Sequence, residues 1–124
     1  MKAHDLRAAL AGTKLGSVTT AEEDAAAFPR LDAFNDGALY VGRFSGETPW
    51  ERHPGADELL YVLEGETQLT LLTADGPVRV SVRAGSAVVV PRGLWHRQLA
   101  PGGVTLLAAT PDDSEVSAAE DPRT

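Results

Sequence analysis

Gly85-Ser86-Ala87-Val88-Val89-Val90-Pro91-Arg92-Gly93-Leu94-Trp95-His96 reads as a short apolar strand that runs through a Pro-x-Gly turn into a histidine. Pro91 fixes its own φ and has no N–H for a strand ladder, and Gly93 tolerates positive φ, so the chain can reverse tightly and hold His96 in one place. Upstream, Trp50-Glu51-Arg52-His53-Pro54-Gly55-Ala56-Asp57-Glu58 precedes Leu59-Leu60-Tyr61-Val62-Leu63-Glu64-Gly65. There too, metal-capable side chains come before an apolar strand and a glycine turn.

Together the two stretches resemble the paired motifs of the cupin superfamily, in the form of a small single-domain cupin. The first motif is a glycine, a His-x-His pair, three or four residues, a glutamate, six residues and a glycine. The second is a glycine, five residues, Pro-x-Gly, two residues and a histidine. Gly85, Pro91, Gly93 and His96 match the second motif at each defining position, although the asparagine often found four residues later is Ala100 here. In the first motif Gly46, His53, Glu58 and Gly65 are in register, while Glu51 stands where the first histidine belongs. The resemblance covers residues 38 to 110. It implies an all-β double-stranded β-helix, or jelly-roll, barrel with a metal in its mouth; activity is a separate matter, because one fold hosts many functions.

The 124 residues suit one domain, which at this length buries roughly 65–70% of its unfolded surface. Cysteine is absent, which excludes disulfides, thiolate zinc sites and cysteine nucleophiles, and agrees with a reducing cytoplasm. His, Asp and Glu remain as strong side-chain metal ligands. Apolar runs such as Ala87–Val90 fall far short of the roughly 18 residues of a membrane span, and the N-terminus has no apolar signal core, so a soluble cytoplasmic protein is expected. Net charge is −7, from 18 acidic and 11 basic residues with no basic run to track a phosphate backbone, which argues against nucleic-acid binding.

Residues 1–37 read as a short N-terminal helix plus a lead-in, with Leu6 and Leu10 on one helix face, Gly12 as its stop and Ser17–Leu31 ambiguous. Residues 38–110 read as the barrel. Its expected strands are Ala38–Phe44, Glu51–His53, Glu58–Leu63, Thr67–Leu72, Val78–Val82, Ala87–Val90, His96–Ala100 and Val104–Ala109. Asp75-Gly76 predicts a hairpin of type I′, and Gly65 and Gly102-Gly103 mark further turns. Residues 111–124 form an acidic tail without apolar periodicity, expected to be solvated or to lie over a neighbouring subunit.

Side chains alternate along a strand, so Glu51 and His53 share a face and Arg52 opposes them. Glu58 then arrives from the next strand and His96 from one distant in sequence. Two imidazoles and a carboxylate buried without partners would cost several kcal/mol, a penalty that a bound cation removes. The expected metal ligands are therefore Glu51, His53, Glu58 and His96, holding one divalent transition metal from among Mn, Fe, Zn and Ni. Spacing from His53 alone would also admit Asp57, but the six residues to Gly65 favour Glu58. Two readings of Glu51 stay open. As a ligand it makes a set of two His and two carboxylates; turned to solvent or to an arginine, it leaves a 2-His-1-carboxylate triad with open positions.

Gln98, two beyond His96, is placed inward to orient a substrate or to hydrogen-bond at the rim. Arg43 is read as a surface residue, Trp50 and Trp95 as packing walls, His4 as exposed and Tyr61 as outward-facing. These features imply a metal-dependent enzyme of dioxygenase or isomerase type acting on a small polar molecule, with Glu51 and Gln98 as its catalytic groups. The alternative is a non-catalytic metal or small-ligand binding module. An outer sheet face rich in Leu and Val, with the cupin resemblance, implies a homodimer.

Overall fold

A computed structural model describes residues 1–124. Two short helices, α1 (Leu6–Leu10) and α2 (Ala21–Ala27), precede eight strands: β1 (Arg30–Phe34), β2 (Gly37–Glu47), β3 (Trp50–Arg52), β4 (Glu58–Thr73), β5 (Gly76–Arg83), β6 (Ala87–Val90), β7 (His96–Pro111) and β8 (Glu115–Ser117). All eight belong to one curled sheet whose main path runs β1-β2-β7-β3-β8, with β4 beside β7 and carrying β5 and β6 on its other edge. This is the all-β barrel expected from the sequence, with its short N-terminal helix.

Strands β4 and β7 form the spine. They pair antiparallel from Leu59↔Ala109 to Leu71↔His96, so each spans what the sequence presented as two strands and a turn. Bulges explain the difference. On β4 the buried residues are Glu58, Leu60 and Val62, then Thr67, Leu69 and Leu71, a switch from even to odd positions across an irregular stretch between Val62 and Gln68. Because a strand's side-chain period is two, this one-residue shift keeps both halves facing the interior. Gly65 sits in the bulge at φ 76°, where a Cβ would collide with the carbonyl oxygen of Gly103. The core so enclosed centres on Phe44, Leu60, Val62, Leu69, Val82, Val104 and Leu106.

Three local expectations are corrected. The β4–β5 hairpin forms, but Thr73 pairs with Gly76, so its two-residue loop is Ala74-Asp75, neither residue with positive φ. The turn is therefore not type I′; Gly76 alone supplies positive φ, at the first position of β5. Arg43 is not a free surface residue: its Nε donates to Thr13 Oγ1 (2.7 Å) and its Nη2 to Leu10 O (2.8 Å), which ties the end of α1 to β2. His4 is half-buried, with Nε2 2.8 Å from Asp32 on β1.

The sheet also extends past residues 38–110. Within the acidic tail, β8 pairs with β3 through Trp50↔Ser117, Glu51↔Val116 and Arg52↔Glu115, and the Trp50 indole N–H donates to Glu120 O (3.1 Å). The tail is thus held to the barrel by backbone bonds that its polarity does not announce. The ambiguous stretch Ser17–Leu31 contains α2, started by a capping box in which Thr20 Oγ1 accepts from Glu23 N and the Glu23 carboxylate accepts from Thr20 N. Phe28 closes α2 onto β2 at Gly42, where a Cβ would strike both the Phe28 ring and Ala27 O. The helix so becomes one wall of a cavity.

Candidate metal centre

Strand β3 lies between β7 and β8, and Glu51 pairs directly with His96. That register brings the two sequence motifs together. The Pro91–Gly93 turn is fastened to the first motif at two points: Gly93 N donates to His53 O (2.9 Å) and Arg92 N to Asp57 Oδ1 (2.8 Å). Asp57 is thereby spent on the turn and exposed, pointing away from the cavity. Arg52 also points away, pairing with Glu115 and stacking over Trp95. Trp50 is buried beneath the Arg97 guanidinium, 4.4 Å away. Neither tryptophan lines the cavity, in keeping with their reading as packing walls.

Glu51, His53, Glu58 and His96 each bring one donor atom to a common point, all within 4.8 Å of one another. His53 Nε2 is 2.9 Å from Glu51 Oε1 and 3.4 Å from Glu58 Oε1, and His96 Nε2 is 3.2 Å from that same Glu58 oxygen. A cation about 2.0–2.2 Å from each donor would separate them by roughly 3–4.3 Å, close to this spread. Despite its short approach to Glu51, buried His53 Nε2 has no hydrogen-bond partner, because neither carboxylate lies where a ring N–H could donate to it. An unpartnered buried nitrogen among carboxylates fits a cation better than it fits an ion pair.

The other atom of each ligand is anchored. His96 Nδ1 lies 3.0 Å from Leu94 O, and a carbonyl only accepts, so Nδ1 carries the proton and Nε2 faces the cluster. His53 Nδ1 lies 2.9 Å from Ser114 Oγ, whose own hydroxyl is directed at Pro111 O (3.4 Å), leaving Oγ to accept from the ring. Glu58 Oε2 accepts from Thr110 Oγ1 (2.7 Å), which turns Oε1 to the histidines. Such partners fix tautomer and orientation at metal sites.

Electrostatics agree. Burial would lower the His53 pKa, but the negative carboxylates of Glu51 and Glu58 close to its Nε2 outweigh it and raise it to about 10. His96 is raised in the same way, against its burial, chiefly by Glu58. Burial would raise Glu58, yet the two histidines hold it below the usual carboxylate range. Without a cation, protons take its place as counter-charge to the carboxylates.

Residues that the sequence did not single out complete the site. Ser114 and Thr110 are the anchors just described. Asp24 of α2 lines the cavity, with its pKa raised to about 6 by burial and by the charges of Glu51 and Glu58. Only the capping box before Asp24 could have signalled a helix there, and nothing local says which way it packs. Gln98 does line the cavity, as the alternation from His96 indicates. The cavity measures ≈ 690 Å³ and runs from Glu51, Glu58 and His96 out between α2 and the segment Asp112–Val116.

A family model of the cupin domain matches residues 44–109, more than half of the chain, and the chain belongs to that family. It is similar to the uncharacterized protein YdbB of Bacillus subtilis (strain 168), 35% identical over 67 residues that make up 54% of this chain and 57% of that one. The chain spans little more than half the length of this relative and less of the germin-like proteins it also matches. In fold it is similar to protein NMB1881 from Neisseria meningitidis, with TM-score 0.67 and 22% identity over 94% of this chain and all of that one. An oxalate decarboxylase shares the barrel at TM-score 0.60 and 19% identity, over 70% of this chain and 26% of its own.

Proposed function

We propose that the chain binds one divalent transition metal through His53, Glu58 and His96, with Glu51 as the fourth ligand, and acts as a metal-dependent enzyme on a small molecule admitted to the cavity. The carrying observation is the convergence of four donors around a buried His53 nitrogen that lacks a hydrogen-bond partner. Two carboxylates and two imidazoles neutralise a divalent cation, and their oxygen content favours Mn, Fe or Zn over Cu.

When bound, the metal would supply Lewis acidity to an oxygen of the substrate. The chain's own residues divide the remaining work. Glu58 is held on both oxygens and is a fixed ligand. The Glu51 side chain is 35% exposed and has one close partner, which suits it to take up or return a proton at its carboxylate if its ligation loosens. Gln98 orients the substrate from the neighbouring wall. We read the protein as cytoplasmic, on its lack of cysteine and because no helix is long and apolar enough to cross a membrane.

Elemental analysis of the purified protein, paired with His96→Ala, tests this reading. The expected result is about one metal per chain, mostly lost in the variant. A protein that carries no metal and takes up none of Mn, Fe, Co, Ni or Zn at micromolar levels overturns it. Metal bound without turnover on any substrate would instead indicate a binding module.

A further inference from the structure

Resting on the reading that this cavity is the working site, we propose that it selects an uncharged, flat apolar molecule bearing a hydroxyl donor, and discriminates against small carboxylates and phosphates. Size is the first argument. At ≈ 690 Å³ the cavity far exceeds a two-carbon acid and falls within the range of drug-sized pockets. Its walls are the second: Phe28, Tyr40, Phe44, Leu60 and Leu106 present rings and branched chains that a flat apolar body would cover.

Charge is the third and strongest argument. The lining holds four acids, Asp24, Glu51, Glu58 and Asp112, against a single arginine, Arg30, which is exposed, and no lysine. At the cluster, a divalent metal would at most balance Glu51 and Glu58. Asp24 and Asp112 then outweigh Arg30, so the approach to the site is net negative whether or not metal is present. No guanidinium fork or buried lysine waits for a carboxylate of the substrate, as anion-selective sites require.

The fourth argument is a vacancy in the hydrogen bonding. Gln98 is clamped through its backbone, its N–H donating to Thr48 Oγ1 (3.0 Å) and its C=O accepting from Thr48 N (2.9 Å). Its side-chain Oε1 is nevertheless buried and has no partner. Such an acceptor calls for a donor, which a hydroxyl supplies and a carboxylate does not.

Two fluorescent probes of matched body, 1-naphthol and 1-naphthoate, separate the alternatives. Binding is measured on protein loaded with Co(II) and on metal-free protein. Naphthol should bind about tenfold or more tightly than naphthoate, because the acids of the approach repel the carboxylate and no buried cationic side chain pairs with it. Asp24→Asn should raise naphthoate affinity several-fold relative to that for naphthol. Gln98→Leu should weaken naphthol by up to about tenfold, the worth of one buried hydrogen bond.

Equal or stronger binding of naphthoate overturns the charge selection, and an unaltered naphthol affinity in Gln98→Leu overturns the hydroxyl contact. If the protein takes up no metal, the metal reading fails and the same comparison on metal-free protein decides this one. Metal uptake combined with naphthoate preference means that the substrate class alone was wrong.

Discussion

Ser114→Ala removes one oxygen that lies 2.9 Å from His53 Nδ1 and stands 61 residues from it in sequence. The serine never touches the metal position, yet it makes the only side-chain hydrogen bond of a histidine that is 2% exposed. Its loss leaves a buried ring N–H unsatisfied, a cost of about 1–3 kcal/mol, unless the imidazole turns toward Glu51 or Glu58. Turning aims Nε2 away from the common point. Metal affinity should therefore fall about 10- to 100-fold, which corresponds to about 1.4–2.7 kcal/mol. Competition against a chelating dye with Zn or Co measures this directly, and Ser114→Thr, which keeps the hydroxyl, should restore most of it. An affinity within twofold of the parent, in a protein with unchanged secondary structure, would refute the claim that the tail orients His53.

Glu51→Ala should weaken metal binding without unfolding the barrel, while Glu51→His should keep the metal and shift preference toward Ni or Cu; unchanged affinity and preference would leave a three-ligand site. The pH response should differ in sign between the two forms. In metal-free protein the His53 and His96 pKa values are raised, so their contribution is full below about 6.5 and is lost as pH climbs above that, for His53 toward about 10, whereas that of Glu58, whose pKa is lowered, is full above about 4.5 and is lost as pH falls below that. Metal loading must expel those imidazole protons, so affinity should rise with pH across neutrality; thermal melts and metal titrations from pH 5 to 9 check both trends, and parallel trends would contradict histidine ligation. Gly65→Ala forces a Cβ against Gly103 O at φ 76° and should cost at least about 1–3 kcal/mol in chemical denaturation. Leu59, Tyr61 and Val89 leave an apolar row exposed on the outer face of β4 and β6, so we expect a homodimer that Tyr61→Arg converts to monomer in light scattering.

What could be read from the sequence was whatever depends on neighbours along the chain. The strand Ala87–Val90 has the expected bounds because Gly85 and Pro91 delimit it locally. His53, Glu58 and His96 fall together because turn geometry and alternation aim each of them from its own segment. Alternation failed where a bulge intervened: residues 63–66 carry the marks of a turn, yet β4 runs through them by slipping its parity. Composition was silent on pairing at the C-terminus: Asp112, Asp113 and Glu115 are exposed as their charge predicts, while the backbone at 115–117 also bonds to β3. Ser114, Thr110 and Asp24 were beyond reach for a further reason. Each acts across the fold on a partner far away in the chain, and nothing in its immediate neighbours specifies that partner.

The placement of β3 between β7 and β8 also sets an order of assembly. During synthesis the chain emerges from its N-terminus, so Glu51 and His53 leave the ribosome long before their flanking strands exist. Strand β4 can join β5 and β6 first, through hairpin and near-hairpin contacts. Only when β7 arrives can it close against β2 and β4, which brings His96 Nε2 within 3.2 Å of Glu58 Oε1, and only with residues 114–117 does His53 acquire its anchor. A nascent chain halted short of residue 114 would hold a nearly closed barrel with an unanchored His53. Metal capture should thus be among the last events in the protein's maturation, guarding a half-made barrel against premature loading.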